Sequence, residues 1–155
     1  MDIKFVRLAC IDSIEIIELM NHHLVKRHMP LLKEGFDETD YDMFIRSKEL
    51  LWSKFGYGPW AFMLDNKFIG WGGLQPEHGE ADMALVLHPK YWGVGKVLYQ
   101  KIISKAFGEM ELSSVTALLP PSRTLVKGLL KLGFIKDCKL NINNKQFIRY
   151  RLFKT

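Results

Sequence analysis

The chain opens on an apolar run, Ile3–Ala9, that reads as a strand. The period then lengthens. Ile14, Ile17 and Leu24 recur at helical spacing behind Asp12, with Glu15 three residues later as a candidate capping box, and Pro30 ends that helix. A polar, glycine-containing connection over 31–38 leads to a second helix from about Thr39. Its stripe is Tyr41, Phe44, Ile45, Lys48, Leu51, Trp52 and Phe55, and Gly56-Tyr57-Gly58-Pro59 breaks it.

From Trp60 the pattern shortens to strands. Trp60–Leu64 and Lys67–Leu74 flank Asp65-Asn66 and read as a hairpin. Gln75–Gly79 reads as a loop, and Glu80–Leu87 as the next strand. A helix over about 96–108 follows, with Leu98, Ile102 and Ala106 spaced four apart. Val115–Leu119 is a strand. Ser122–Leu132 is a helix stopped by Gly133, a residue suited to the position after a helix end. Phe134–Ile142 and Gln146–Phe153 close the chain as a hairpin around Asn143-Asn144. The order β-α-α-β-β-β-α-β-α-β-β predicts one α+β (mixed α/β) domain over residues 1–155. The hairpins should be antiparallel. The two strands flanking the central helix should be parallel, joined by a right-handed crossover.

The most informative segment joins the fourth strand to that helix: His88-Pro89-Lys90-Tyr91-Trp92-Gly93-Val94-Gly95-Lys96-Val97-Leu98-Tyr99. A strand feeding a glycine turn that opens a helix is anion-binding machinery. The first helical amides lack internal partners, the dipole adds positive charge, and glycine lets a ligand come close. The dinucleotide fingerprint is not met, because its third glycine would fall at Leu98, and no Gly-Lys-Ser/Thr of a phosphate-binding loop follows.

Composition narrows the partners. With 155 residues, 48% hydrophobic and 25% charged, the chain is globular rather than disordered. No apolar run reaches the roughly 20 residues needed to span a bilayer. The N-terminus lacks the layout of a signal peptide. Cys10 and Cys138 match no metal spacing and read as reduced thiols of a cytoplasmic protein. The formal charge of +5 favours an anionic partner only mildly, and the basic residues are spread out, so no nucleic-acid surface is expected. His22, His23 and His28 complete no metal-ligand spacing, and no metal is expected.

The element order and two segments together resemble the GCN5-related N-acetyltransferase superfamily. Leu85-Val86-Leu87-His88-Pro89 and the following turn look like that family's Arg/Gln-x-x-Gly-x-Gly/Ala loop. In one register Lys90 stands at the Arg/Gln position, with Gly93 and Gly95 as the glycines. In the other, Trp92, Gly95 and Val97 take those places. The first is preferred, because it sets Leu98, Tyr99, Ile102 and Ala106 on the helix's buried face. Leu130-Lys131-Leu132-Gly133-Phe134 is similar to the family's ending one helix after the fifth strand. The resemblance covers nearly the whole chain.

That resemblance implies a mostly antiparallel mixed sheet of about seven strands flanked by about four helices. It also implies a cleft where the fourth and fifth strands splay apart. The implied cofactor is acetyl-CoA. Its pantetheine amides would meet the backbone of Leu85, Val86 and Leu87, and its pyrophosphate the amides of Trp92, Gly93, Val94, Gly95, Lys96 and Val97, with Lys90 and Ser122 beside it. The implied activity is direct acetyl transfer to a primary amine of a small molecule or a protein. Asp82 stands where related enzymes often carry an acidic residue and is the candidate base. With an ordinary aspartate pKa near 3.9 it would act through water or as a counter-charge. Glu80 shares its strand face, and both read equally well as solvated residues near a strand start. The family's usual tyrosine acid falls at Leu129 and its usual asparagine at Ser122; Tyr91, Tyr150 and ordered water are candidate substitutes for the acid. Tyr41, Phe44 and Glu34 are candidates for the acceptor pocket, and Trp71 and Trp92 for lining a cleft. His88 is read as structural. A homodimer is compatible with the family. The alternative from another class is an acyl-CoA sensor whose catalysis has weakened.

Overall fold

The computed structural model describes residues 2–27, 29, 35–121 and 126–155. Seven strands form one sheet. They are β1 (Ile3–Val6), β2 (Pro59–Leu64), β3 (Lys67–Glu77), β4 (Glu80–Leu87), β5 (Ser114–Leu119), β6 (Ile135–Ile142) and β7 (Lys145–Phe153). Their spatial order is β1-β2-β3-β4-β5-β7-β6. Every pairing is antiparallel except β4 with β5, which is parallel. The helices are α1 (Ser13–Asn21), α2 (His23–Lys26), α3 (Glu38–Phe55), α4 (Gly95–Phe107) and α5 (Lys127–Lys131). The mixed, mostly antiparallel sheet expected from the sequence is present.

Each face of the sheet has its own core. Ala81, Met83 and Leu87 of β4 pack with Leu98, Ile102 and Ala106 of α4 and with Leu129 and Phe134. On the other face Ile16, Leu19 and Met20 of α1 meet Trp71 and Ala61, with Phe44 and Ile45 of α3 packed against them. The alternation of β4 therefore sends Met83 toward α4 and Asp82 toward α1 and α3.

Several boundaries differ from the sequence reading, each for a local reason. β1 stops at Val6, and Leu8–Cys10 curls into a 3₁₀ turn that buries Leu8. The first helix does not run on to Pro30, which lies outside the described residues. It ends at Asn21, where His22 takes extended backbone (ψ 127°) and caps the separate α2 through its Nδ1. Among the described residues there are thus five helical segments, in line with the about four expected. Asp12 caps α1 by a bond from the Ile14 amide. The reciprocal capping box belongs to Asp37 and Asp40 at the start of α3. The expected loop Gln75–Gly79 is mostly strand. Only His78 (φ +50°) and Gly79 (φ +78°) turn, and two consecutive positive φ values are what a tight two-residue hairpin requires. Asp65-Asn66 and Asn143-Asn144 turn in the same way.

The Leu-Lys-Leu-Gly-Phe segment has a mechanical explanation. Gly133 sits at φ +103°; its amide donates to the Leu130 carbonyl and that of Phe134 donates to the Leu129 carbonyl. This pair of bonds is the Schellman helix stop, and it delivers Phe134 to the core at 2% exposure.

Gly72 is needed for close approach. Its φ is +154°, and a Cβ there would lie 2.2 Å from the Ala84 carbonyl oxygen of β4. Gly72→Ala should lower stability by about 2–3 kcal/mol through strain and overpacking. Denaturant melts of the two proteins check this; an unchanged midpoint would mean that β3 and β4 can move apart.

Candidate active site

Two features meet at the far end of β4. The first is a fork. β4 and β5 register only at Asp82↔Thr116 and Met83↔Ala117. Beyond those rungs, Ala84–Leu87 pairs with β3, and Leu118 and Leu119 pair with β7. The parallel neighbours therefore part, and one side of β4's backbone faces the gap. Strand edge of this kind is a template for an added strand or an extended ligand.

The second feature is the turn after β4. Pro89–Val94 is a 3₁₀ segment, capped by His88, whose Nδ1 accepts from the Lys90 amide at 3.1 Å. His88 is thus structural, as its position suggests. The Trp92 indole N–H donates to the Leu87 carbonyl at 3.0 Å and ties the turn to the strand end. α4 then starts at Gly95. Its N-cap, Val94, makes no side-chain bond, and no acidic residue lies in the first turn. α1 and α3, by contrast, begin on Asp12 and Asp37. The start of α4 keeps its dipole and its early amides uncapped by any side chain.

The glycines leave room there. A Cβ on Gly93 would meet nothing within 4 Å. One on Gly95 would meet only side-chain atoms of Leu85 and Leu87, at 3.6 and 4.0 Å. Gly95 has ordinary helical backbone (φ −54°, ψ −44°), so its conformation does not demand glycine. Gly95, Lys96 and Val97 form the first turn of α4, Lys90 is exposed within the 3₁₀ segment, and Ser122 lies outside the described residues. Leu98, Ile102 and Ala106 are buried, but they would be so in either register of the glycine motif.

Asp82 stands at the crotch of the fork. It is 6% exposed and accepts a hydrogen bond from the Thr116 hydroxyl at 2.9 Å. Burial pushes its pKa up to about 7; the Thr116 bond and Arg149 oppose the shift, while Glu77 and Glu80 add to it. The solvated carboxylate of ordinary pKa expected from the sequence is therefore corrected. A strand start is buried here because β4 lies in the middle of the sheet, under α1 and α3. Glu80, on the same face, is a different case. It pairs with Arg151 at 2.7 Å, and Arg151 also reaches Ser114 at 2.9 Å and Asp137 at 3.2 Å. Its hydrogen bond to Arg151 holds the Glu80 carboxyl below its usual pKa.

The other candidates divide. Leu129 is 4% exposed in the α4-side core. Tyr150 is buried opposite Ala117, at the last β5 rung before the fork, and Tyr91 lies in the 3₁₀ segment. Trp71 is not a cleft residue: it is 4% exposed in the core, its indole N–H on the Met20 sulfur. Trp92 is exposed at the turn. Phe44 stacks edge-on to Trp71, Tyr41 packs on the same core, and Glu34 lies outside the described residues. Phe55, placed on the α3 stripe, is exposed. Sequence reasoning missed Thr116 and Arg149. A lone hydroxyl inside the apolar run Val115-Thr116-Ala117 was the available signal for the first. Among the described residues no cluster of three or more His, Cys, Asp or Glu is placed to hold a metal ion, and no helix is long and apolar enough to cross a membrane.

A forked parallel strand pair is thus followed by a glycine-opened helix whose start no side chain caps. The family model described as "Acetyltransferase (GNAT) family" matches residues 19–134, and the chain belongs to that family. Solved structures agree in fold. An acetyltransferase of the GNAT family from Bacillus anthracis is 18% identical, with a TM-score of 0.73 over 97% of this chain and 93% of that one. An acetyltransferase from Agrobacterium tumefaciens is 16% identical, with a TM-score of 0.79 over 98% and 91%. A mutant spermidine N-acetyltransferase from Vibrio cholerae is 14% identical, with a TM-score of 0.72 over 99% and 95%. No curated protein sequence matches.

The raised pKa of Asp82 carries a stability signature. The folded state holds its proton up to about pH 7, whereas an unfolded aspartate releases it near 3.8. Its contribution to stability should therefore fall as pH rises from about 4 to 7 and level off above. Asp82→Asn should match wild type at pH 4 and exceed it at pH 8, by on the order of 2–4 kcal/mol. Parallel melts at the two pH values check this, and equal melts at pH 8 would return Asp82 to an ordinary pKa.

Proposed function

We propose that the chain is an acetyl-CoA-dependent N-acetyltransferase that acts on a primary amine, with Asp82 as the general base. The observation that carries this reading is a buried carboxyl with a near-neutral pKa at the point where β4 and β5 part. A base works best when its pKa lies near the working pH.

The residues present suit the cofactor. Where β4 has no β5 partner, the backbone of Leu85–Leu87 offers groups to the pantetheine amides, the Leu87 carbonyl being already bonded to the Trp92 indole. The uncapped start of α4, with Gly93, Gly95, Lys96 and Val97, suits a pyrophosphate. Of the two motif registers we adopt the second, with Trp92, Gly95 and Val97, because the helix begins at Gly95. When bound, acetyl-CoA supplies an acetyl group already activated as a thioester. The chain supplies position and proton transfer. Thr116 occupies Oδ1 of Asp82, which leaves Oδ2 to take the proton released when the amine nitrogen forms its bond to the acetyl carbon. The sulfur leaves with the electrons of the broken C–S bond. A thiol of ordinary pKa near 8.5 leaves readily as thiolate, so a leucine at position 129 is compatible with turnover.

The first test is binding. CoA at a hundred times its dissociation constant should add about 2.7 kcal/mol of stability. Gly93→Asp should remove that gain without lowering the melting temperature of the free protein, because the position is open. No thermal shift with millimolar CoA would sink the proposal.

The second test is turnover, followed as thiol release with a panel of amines. The ratio kcat/KM, expressed on the neutral form of each amine, should rise with pH to a plateau above about 7. Asp82→Asn should reduce it roughly 10²–10⁴-fold while CoA affinity holds. Binding without turnover on any amine would favour the sensor alternative.

A further inference from the structure

We infer that the acceptor carries an anionic group beside its amine, and that Arg149 on β7 receives that group. The inference rests on the transferase reading above and concerns which amine the site takes.

The sheet register sets the geometry. Asp82, Thr116 and Arg151 form one rung across β4, β5 and β7, all on the face toward α1 and α3. The next same-face position of β5 is Leu118, and its β7 partner is Arg149. Leu118 lies past the last β4–β5 rung, so Arg149 flanks the fork from the β5 side as Asp82 flanks it from the β4 side. The Arg149 guanidinium is close enough to act on the charge of Asp82.

Arg149 is also unsatisfied. Its Nε is buried and has no hydrogen-bond partner, and no ion pair to it is formed among the described residues. Two residues on, Arg151 is held by Glu80, Asp137 and Ser114. A buried donor left without a partner costs free energy, so such groups mark a strained position or a place for a ligand. Here the donor belongs to a cation on the strand beside the fork, on the sheet face that carries Asp82. A carboxylate is the partner that a guanidinium fits best.

The opposite flank adds a second cation. Lys48 of α3 lies over the Trp71 ring and bonds Gln75 at 2.9 Å, and Gln75 is the β3 partner of Asp82. Glu77 is the acidic group acting on Lys48, and Glu80 is held by Arg151. A polyamine with its amine at Asp82 would bring further positive charge between Lys48 and Arg149. An amino acid-like acceptor would instead present a positive and a negative end to an acidic and a basic residue.

The test uses amines matched in skeleton: 4-aminobutyrate, butylamine and putrescine, together with alanine and isopropylamine. On the wild-type protein the carboxylate-bearing member of a set should have the highest kcat/KM, by roughly ten- to a hundredfold, the scale of one charge-assisted hydrogen bond. In Arg149→Gln that ratio should collapse toward one through KM, with CoA affinity unchanged, and Arg149→Lys should restore part of it. If Arg149→Gln melts below the assay temperature, the Lys variant alone must still show a reduced ratio. Equal or better use of the neutral amine or the diamine would overturn the inference and leave the transferase reading standing. A preference that survives in Arg149→Gln would overturn the role of Arg149. Transfer to no amine at all, with CoA bound, would remove the transferase reading and this inference with it.

Discussion

The structure depends on a strand pairing that stops early. Two rungs of parallel ladder join an antiparallel unit, β1 to β4, to a second unit of β5, β7 and β6. At the joint the strands are bound sideways by polar groups: Thr116 to Asp82, and Arg151 to Glu80, Ser114 and Asp137. Past the joint, hydrophobic packing from α4 bridges the two units on one face. At the start of α4 a Cβ on Gly95 would make only ordinary van der Waals contact with the side chains of Leu85 and Leu87. A fully paired β4–β5 ladder would leave no free backbone on β4 and no opening to the buried face.

The same joint sets the two carboxyls of β4 apart. Glu80 and Asp82 sit two residues apart on one strand face, yet their environments differ. Arg151 neutralises Glu80, which keeps that carboxylate charged and structural. Asp82 has a hydroxyl for a partner, and desolvation outweighs what one neutral hydrogen bond returns. Pairs of titratable groups pushed apart in pKa often mark acid–base chemistry. Arg149 belongs to the same arrangement, since it moderates the shift on Asp82 without forming an ion pair with it.

Much of the fold was legible because local signals were strong. β4 has the expected bounds, Glu80–Leu87, α4 starts within one residue of its expected position, and two of the three tight hairpins carry asparagine at the turn. The third was missed because His78 is an unusual residue at positive φ and Pro76 argues against strand. The break at His22 was missed because the hydrophobic spacing runs through it. The site was legible only as positions. Leu85 to Leu87 and the glycine turn are contiguous in sequence, so pattern could find them. The burial of Asp82, its bond to Thr116 and the orphaned Arg149 depend on pairing between strands far apart in the chain, which no local period encodes. Trp71, a candidate to line a cleft on sequence, is a core residue, and the Met20 sulfur that receives its N–H lies fifty-one residues away in the chain.

Leu129 bears on whether such a chain turns over or only binds. Its side chain is in the core, and its carbonyl receives the Phe134 amide in the helix stop. The position is thus fixed by packing and by the turn that follows, and a leucine there strengthens the hydrophobic contact at the cost of a proton donor. Whether that loss matters depends on which proton transfer is harder. A protonated alkylamine has a pKa near that of lysine, about 10.4, and must lose protons to become an amide; a thiolate with a conjugate acid near 8.5 is already stable enough to leave. The demanding transfer is therefore away from the amine. In the proposed reading the group that accepts it at neutral pH is Asp82, which is buried with its pKa pushed up to about 7. A module that only sensed the cofactor would have no need to bear the desolvation of that carboxyl, which an asparagine in the same place would avoid.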